Sequence, residues 1–169
     1  MKTEIKYSFI SAIALIIWVT TEHLLGFNTT NMEMGQYTQP IIAIIVLVIL
    51  FFGIREKRNK ILNGHLTFIQ GLKTAFFISL FYAILQGVWF ALYSNIINPE
   101  YAELSMQFKT SQLVAEGKTP QQIADELAMT KKIFDGGFIQ FGFFIIVTTL
   151  IDTIIGAIMT LFLKTKTKE

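Results

Sequence analysis

The chain has no cysteine, three prolines and two histidines in its 169 residues. Without cysteine there is no disulfide, no thiol nucleophile and no cysteine-based metal centre. His23 and His65 are the only imidazoles. They fall on opposite sides of the membrane in the topology that the charges dictate, so no metal site is expected. Charge is scarce: Asp, Glu, Lys and Arg make up 15% of the residues, with a net charge of +2. A soluble domain carries about 25%. The charges lie between apolar runs and seldom within them. Membrane orientation accounts for the basic excess, so nucleic acid is not an expected partner. Zinc-protease, phosphate-loop and nucleophile-elbow motifs are all missing. No catalytic residue and no cofactor follow from the sequence, and the expectation is a protein that is not an enzyme.

What the chain does have is apolar length: 53% of its residues are hydrophobic. Crossing a bilayer core of about 30 Å takes ~20 helical residues. Four spans are predicted, at about residues 7–27, 40–54, 68–95 and 138–163. The first run exceeds a signal-peptide core, and Asn28-Thr29-Thr30-Asn31 after it is not an Ala-x-Ala-like cleavage site, so it reads as a retained span. A soluble protein of this length could not cover four such helices with polar ones. The predicted fold class is all-α: a four-helix transmembrane bundle with two short amphipathic outer helices between spans three and four. Residues 1–169 form a single integral membrane domain.

Basic residues set the orientation. Lys2 and Lys6 precede span one, Arg55, Lys57, Arg58 and Lys60 follow span two, and Lys164, Lys166 and Lys168 follow span four. Residues 28–39 contain no Lys or Arg, and the segment after span three carries more acidic than basic side chains. The positive-inside rule then puts both termini and the 55–65 loop in the cytoplasm. Phe27, Tyr37, Tyr93 and Tyr101 fall near the outer interface, where amphipathic rings prefer to sit. Span two is short, with Pro40 suited to its first turn, and its wholly apolar run suits lipid contact.

The outer segment, residues 98–135, reads as two helices. Asn98-Pro99-Glu100 has the order of an N-cap, a first-turn proline and a first-turn acid. Tyr101, Leu104 and Phe108 form a stripe, and Gly117 ends that helix. Thr119 and Gln122 are spaced as a capping box before Ile123, Leu127 and Phe134, and Gly136-Gly137 breaks the second helix. The pair can form a hairpin or lie on the outer leaflet, and can cap the bundle or bind a partner.

Span three carries a small residue at every fourth position: Gly71, Ala75, Ser79, Ala83, Gly87 and Ala91. Such a row lets helices approach closely in lipid. It winds around the helix, because a four-residue step overshoots the 3.6-residue turn, so one partner follows only part of it. Span four offers Thr148, Asp152, Gly156 and Thr160 as a counterpart. Contact between spans three and four through these rows is predicted, with homodimerisation as the alternative use.

Four ionisable residues are candidates for intramembrane chemistry. Asp152 lies mid-span, where an Asp costs ~2.5–3.5 kcal/mol on insertion scales. It is read either as a proton- or cation-responsive carboxylate or as an acid hydrogen-bonded to Thr148, Thr149 or another helix. Lys73 can reach it as an ion partner or snorkel to the headgroups. Glu22 and His23 are adjacent, hence ~100° apart on a helix, so one is expected to face the bundle and the other the interface. Gln70, Gln86 and Gln140 read as interhelical hydrogen-bond donors.

The order of three motifs is distinctive: Gly53-Ile54-Arg55-Glu56-Lys57-Arg58, then Phe68-Ile69-Gln70-Gly71-Leu72-Lys73-Thr74, then Asn98-Pro99-Glu100 with Gly117-Lys118-Thr119-Pro120-Gln121-Gln122-Ile123. Over essentially its whole length the chain resembles the bacterial membrane-protein family called domain of unknown function 4199. The resemblance implies a small multi-span protein of the bacterial cytoplasmic membrane and supplies no activity. The functional expectation is a non-catalytic scaffold or accessory protein whose partners are the lipid bilayer and a second copy or another membrane protein. The alternative is a small proton- or ion-linked transporter using Asp152 with Lys73 or Glu22. The absence of internal repeats weighs against the alternative.

Overall fold

The computed structural model describes residues 1–135 and 137–165. Gly136, Lys166 and Lys168 lie outside the described residues, as do the side chains of Phe134 and Gln140. The elements are α1 (Lys2–Leu24), α2 (Met32–Gly35), α3 (Gln39–Glu56), α4 (Phe68–Leu92), α5 (Tyr101–Ala115), α6 (Pro120–Asp135) and α7 (Gly137–Leu163). No strand occurs among the described residues. Among the described residues, four helical stretches are long and apolar enough to cross a membrane: Lys2–Leu24, Met32–Ile61, Phe68–Ile97 and Phe141–Leu163.

The second of these is twice as long as the predicted apolar run. Arg, Glu and Lys are good helix formers, so Arg55 and Glu56 continue α3 and a π turn over Lys57–Ile61 carries it further. The stretch ends where Asn63 and Gly64 take φ of 49° and 86°, conformations that Asn and Gly tolerate. The start of α4 is a capping box, in which Thr67 N–H donates to Gln70 Oε1 at 3.0 Å and Gln70 N–H donates to Thr67 Oγ1 at 3.3 Å. Gln70 therefore serves its own helix end and is not the interhelical donor expected. Gln86 makes no interhelical bond either; its Oε1 is buried without a partner among the described residues.

The spans pack around α4, which touches α1, α3 and α7. The core joins Leu15 of α1, Val46, Leu50 and Ile54 of α3, Ala75, Ile78 and Tyr82 of α4, and Leu163 of α7. Ser8 Oγ ties α1 to α4 by donating to the Ile78 carbonyl at 2.9 Å. The outward faces are apolar: on α7, Ile146, Leu150, Ile154, Ile158 and Leu161 are all exposed. A continuous apolar belt of this kind suits hydrocarbon, not water.

The predicted α4–α7 seam is present. A Cβ at Gly156 would stand 2.3 Å from Ala75 Cβ, one at Gly71 would meet Thr160 Cγ2 at 2.2 Å, and one at Gly87 would meet Phe141 Cε2 at 2.3 Å. Gly71, Ala75, Ser79, Ala83 and Gly87 are buried, and Ala91 is exposed where the row has wound away. On α7 the buried row runs through Thr149, Asp152, Gly156 and Thr160, with Thr149 in the place expected of Thr148.

Side chains knit each end of the bundle. At one end Lys6 pairs with Glu56 at 2.7 Å, Lys57 pairs with Glu4 at 2.8 Å, and Arg58 Nη1 donates to the Leu163 carbonyl at 3.2 Å. Thr165 N–H donates to the Leu66 carbonyl and Leu66 N–H to Thr165 Oγ1, both at 2.9 Å. At the other end α5 and α6 form a hairpin clamped by Glu126, which reaches Lys118 at 3.3 Å and Lys109 at 3.9 Å. Gly117, at φ 75°, closes α5 as predicted, with Lys118 N–H donating to the Leu113 carbonyl. Thr119 and Gln122 form the expected capping box.

Candidate functional site

Besides Glu4 and Ser8 near the start of α1, two further groups of polar side chains are buried in the four-helix bundle among the described residues. The first surrounds Asp152 at the α4–α7 seam. Asp152 is 8% exposed and faces the bundle as expected, but Oδ2 accepts no hydrogen bond among the described residues. The hydroxyls of Ser79, Thr149 and Thr153 are also buried without a partner, so the expected bond from Thr149 to the carboxyl is not made. Tyr82, 2% exposed, lies on the same buried side of α4 as Ser79. Lys73 does not pair with Asp152. It is exposed on the opposite side of α4 from the seam, two residues past Gly71 and two before Ala75, and makes no ion pair among the described residues. Two residues rotate a helix by ~200°, which explains why Lys73 cannot share the face of the small row.

The second group closes the end of the bundle that carries the α5–α6 hairpin. Glu22 is 3% exposed and accepts a hydrogen bond from Thr38 Oγ1 at the start of α3. His23 Nδ1 lies 3.0 Å from Tyr93 Oη, with the two rings edge to face. Both therefore turn inward, toward different neighbours, where one was expected at the interface. A helix at the end of a bundle can contact two flanking elements at once, and α1 here meets the α3 entry with one residue and the π turn Tyr93–Ile97 with the next.

Asn98 extends this group. It does not cap α5, which begins at Tyr101 with no side-chain cap. Its Nδ2 donates to the Asn28 carbonyl at 2.9 Å and to Tyr93 Oη at 3.3 Å, joining the loop after α1 to the end of α4. The residue before a proline is disfavoured in the α region, and Asn98 sits at φ −135°, ψ 74°, outside it. Tyr93 and Tyr101 meet edge to face inside this cluster, with ring centroids 5.5 Å apart. Burial pushes the Tyr101 phenol above its ordinary pKa. Tyr37 is exposed, as an interface anchor would be.

The hairpin rests on this end. Gln112 Nε2 donates to Gln36 Oε1 at 2.7 Å and Leu113 is buried. An open groove between the 29–33 loop and α5 is lined by Thr29, Asn31, Glu33, Leu104, Gln107 and Phe108. Among the described residues, no three His, Cys, Asp or Glu side chains cluster as metal ligands.

Sequence reading missed Ser79, Tyr82, Asn28 and Thr38 as members of these groups. Ser79 carried the one available signal, being the only hydroxyl in the buried small row. Asn28 contributes a backbone carbonyl and Thr38 a hydroxyl to partners far along the chain, which no local pattern encodes. A family model described as Protein of unknown function (DUF4199) matches residues 6–165. Neither a curated protein nor a solved structure matches the chain.

Proposed function

We propose, from the premise that this chain belongs to the DUF4199 family, that it is a non-catalytic accessory or scaffold protein of the bacterial cytoplasmic membrane. In this reading it crosses the membrane four times, with both termini in the cytoplasm and the α5–α6 hairpin outside. The observation that carries the reading is how the hairpin is mounted. Asn98, Gln112 and buried Leu113 fix α5 to the first outer loop and the α4 end. The polar side chains of α6, including Gln121, Gln122, Asp125, Lys131 and Lys132, remain exposed. A rigid helical platform with an exposed polar face is suited to holding another protein, because little ordering entropy is lost on docking.

The partner is a second copy of the chain or another membrane protein. The test replaces residues 101–135 with a short flexible linker and compares native-gel migration of the solubilised membrane complex. The intact chain should migrate in a defined complex that the shortened chain fails to form while still inserting. Migration of the intact chain as a lone monomer overturns the reading. The transporter alternative keeps one supporting observation, the unpartnered buried carboxylate of Asp152. Its proposed helpers do not reach that group: Lys73 is exposed, and Glu22 is engaged with Thr38 at the outer end.

A further inference from the structure

Asp152 is the middle residue of the Phe141–Leu163 stretch. At about 1.5 Å per residue it lies ~17 Å from either end. A carboxylate at that depth is expected to have a compensating group, either a protein cation, a hydrogen-bond network or a bound ion. The buried residues of α4 are Gly71, Thr74, Ala75, Ile78, Ser79, Tyr82, Ala83 and Gly87, none of them a cation. What α4 supplies is oxygen. Gly71 meets Thr160 and Ala75 meets Gly156 across the antiparallel seam. One more four-residue step along each helix brings Ser79 opposite Asp152.

Ser79 is 1% exposed and Thr149 is 4% exposed. Their hydroxyl oxygens, that of Thr153 and Asp152 Oδ2 are all buried, and none hydrogen-bonds to another. Oxygens that share a hard ion need not hydrogen-bond to one another: at ~2.4 Å from the ion and at right angles, neighbours are about 3.4 Å or more apart. One carboxylate balances one positive charge, which favours a monovalent over a divalent ion. Four protein oxygens, all closed to water, suit a small dehydrated ion.

We infer that Asp152, Ser79, Thr149 and Thr153 form a Na⁺ site at the centre of the α4–α7 seam. The carboxylate supplies the charge, and the three hydroxyls replace part of the ion's hydration. Ser79 comes from one helix and the others from its partner, so the ion fastens the two spans together. This site does not depend on the accessory reading, since it concerns an ion and not a docked protein.

The test is thermal unfolding of the purified full-length chain in detergent at pH 8, in NaCl or choline chloride of equal ionic strength. Na⁺ should raise Tm saturably and choline should not. Asp152→Asn should abolish the Na⁺-dependent rise. Ser79→Ala and Thr149→Val should each raise the Na⁺ concentration at half-effect, by on the order of 10-fold for one lost ligand. Equal Tm in the two salts overturns the site, and so does a Na⁺ effect that survives Asp152→Asn. A Tm that rises on acidification but ignores Na⁺ assigns the carboxyl to a proton and also overturns it. If Asp152→Asn does not fold, the two hydroxyl variants decide: an unmoved half-effect in both refutes the assignment.

Discussion

At Gly156 one methyl group decides whether α4 and α7 can touch. Its Cβ would lie 2.3 Å from Ala75 Cβ, an atom fixed to the backbone that cannot swing away. At Gly87 the clash is with the Phe141 ring, which can rotate. Overpacking of a tight contact costs ~1–3 kcal/mol. Gly156→Leu should therefore lower Tm in detergent clearly, and Gly87→Leu should lower it less. A Gly156→Leu protein as stable as the parent would refute the seam. The small row from Gly71 to Gly87 was legible in the sequence because residue size is a local property and its spacing is periodic. Asp152 was legible as a buried charge for a similar reason. Its surroundings were not, because they depend on the register between two helices, which emerges only when Gly71 meets Thr160 and Ala75 meets Gly156.

At the scale of elements, the helices themselves were readable but their ends were not. Apolar length locates the hydrocarbon-crossing part of a helix, and the helix continues wherever charged residues also favour it, as from Arg55 to Ile61. Asn98 illustrates a second limit. Asn before Pro and Glu suits a helix cap and equally suits a turn whose side chain is free to bond elsewhere, and only the carbonyl of Asn28, 70 positions away, decides between them. This contact couples the loop after α1 to the root of the hairpin, so its loss should loosen α5 without unfolding the four long helices. Asn98→Ala leaves the Asn28 carbonyl without that donor and should cost ~1–3 kcal/mol. Limited proteolysis should show faster cleavage around residues 99–119. Asn98→Asp should behave alike, because a carboxylate has no N–H to donate. Unchanged cleavage in both variants would show that the clamp does not hold the hairpin.

For the whole molecule, geometry and charge make independent statements about topology. Geometry groups the ends: Lys6 with Glu56, Lys57 with Glu4, Arg58 with Leu163 and Leu66 with Thr165 bring the first helix, the loop after α3 and the end of α7 together. His23 with Tyr93, Asn28 with Asn98 and Gln36 with Gln112 gather the opposite end. Geometry alone is indifferent to which end faces the cytoplasm, and the proposed orientation rests on the Lys and Arg distribution. Because the chain has no cysteine, a single introduced one reports its side without background. Asn59 and Gln121 are exposed at opposite ends. In intact cells a membrane-impermeant maleimide should label Gln121→Cys and spare Asn59→Cys, and permeabilisation should expose both. The reverse pattern would invert the molecule while leaving its packing intact. Labelling of both positions in intact cells would refute the proposed topology itself, which puts these residues on opposite faces of the bilayer.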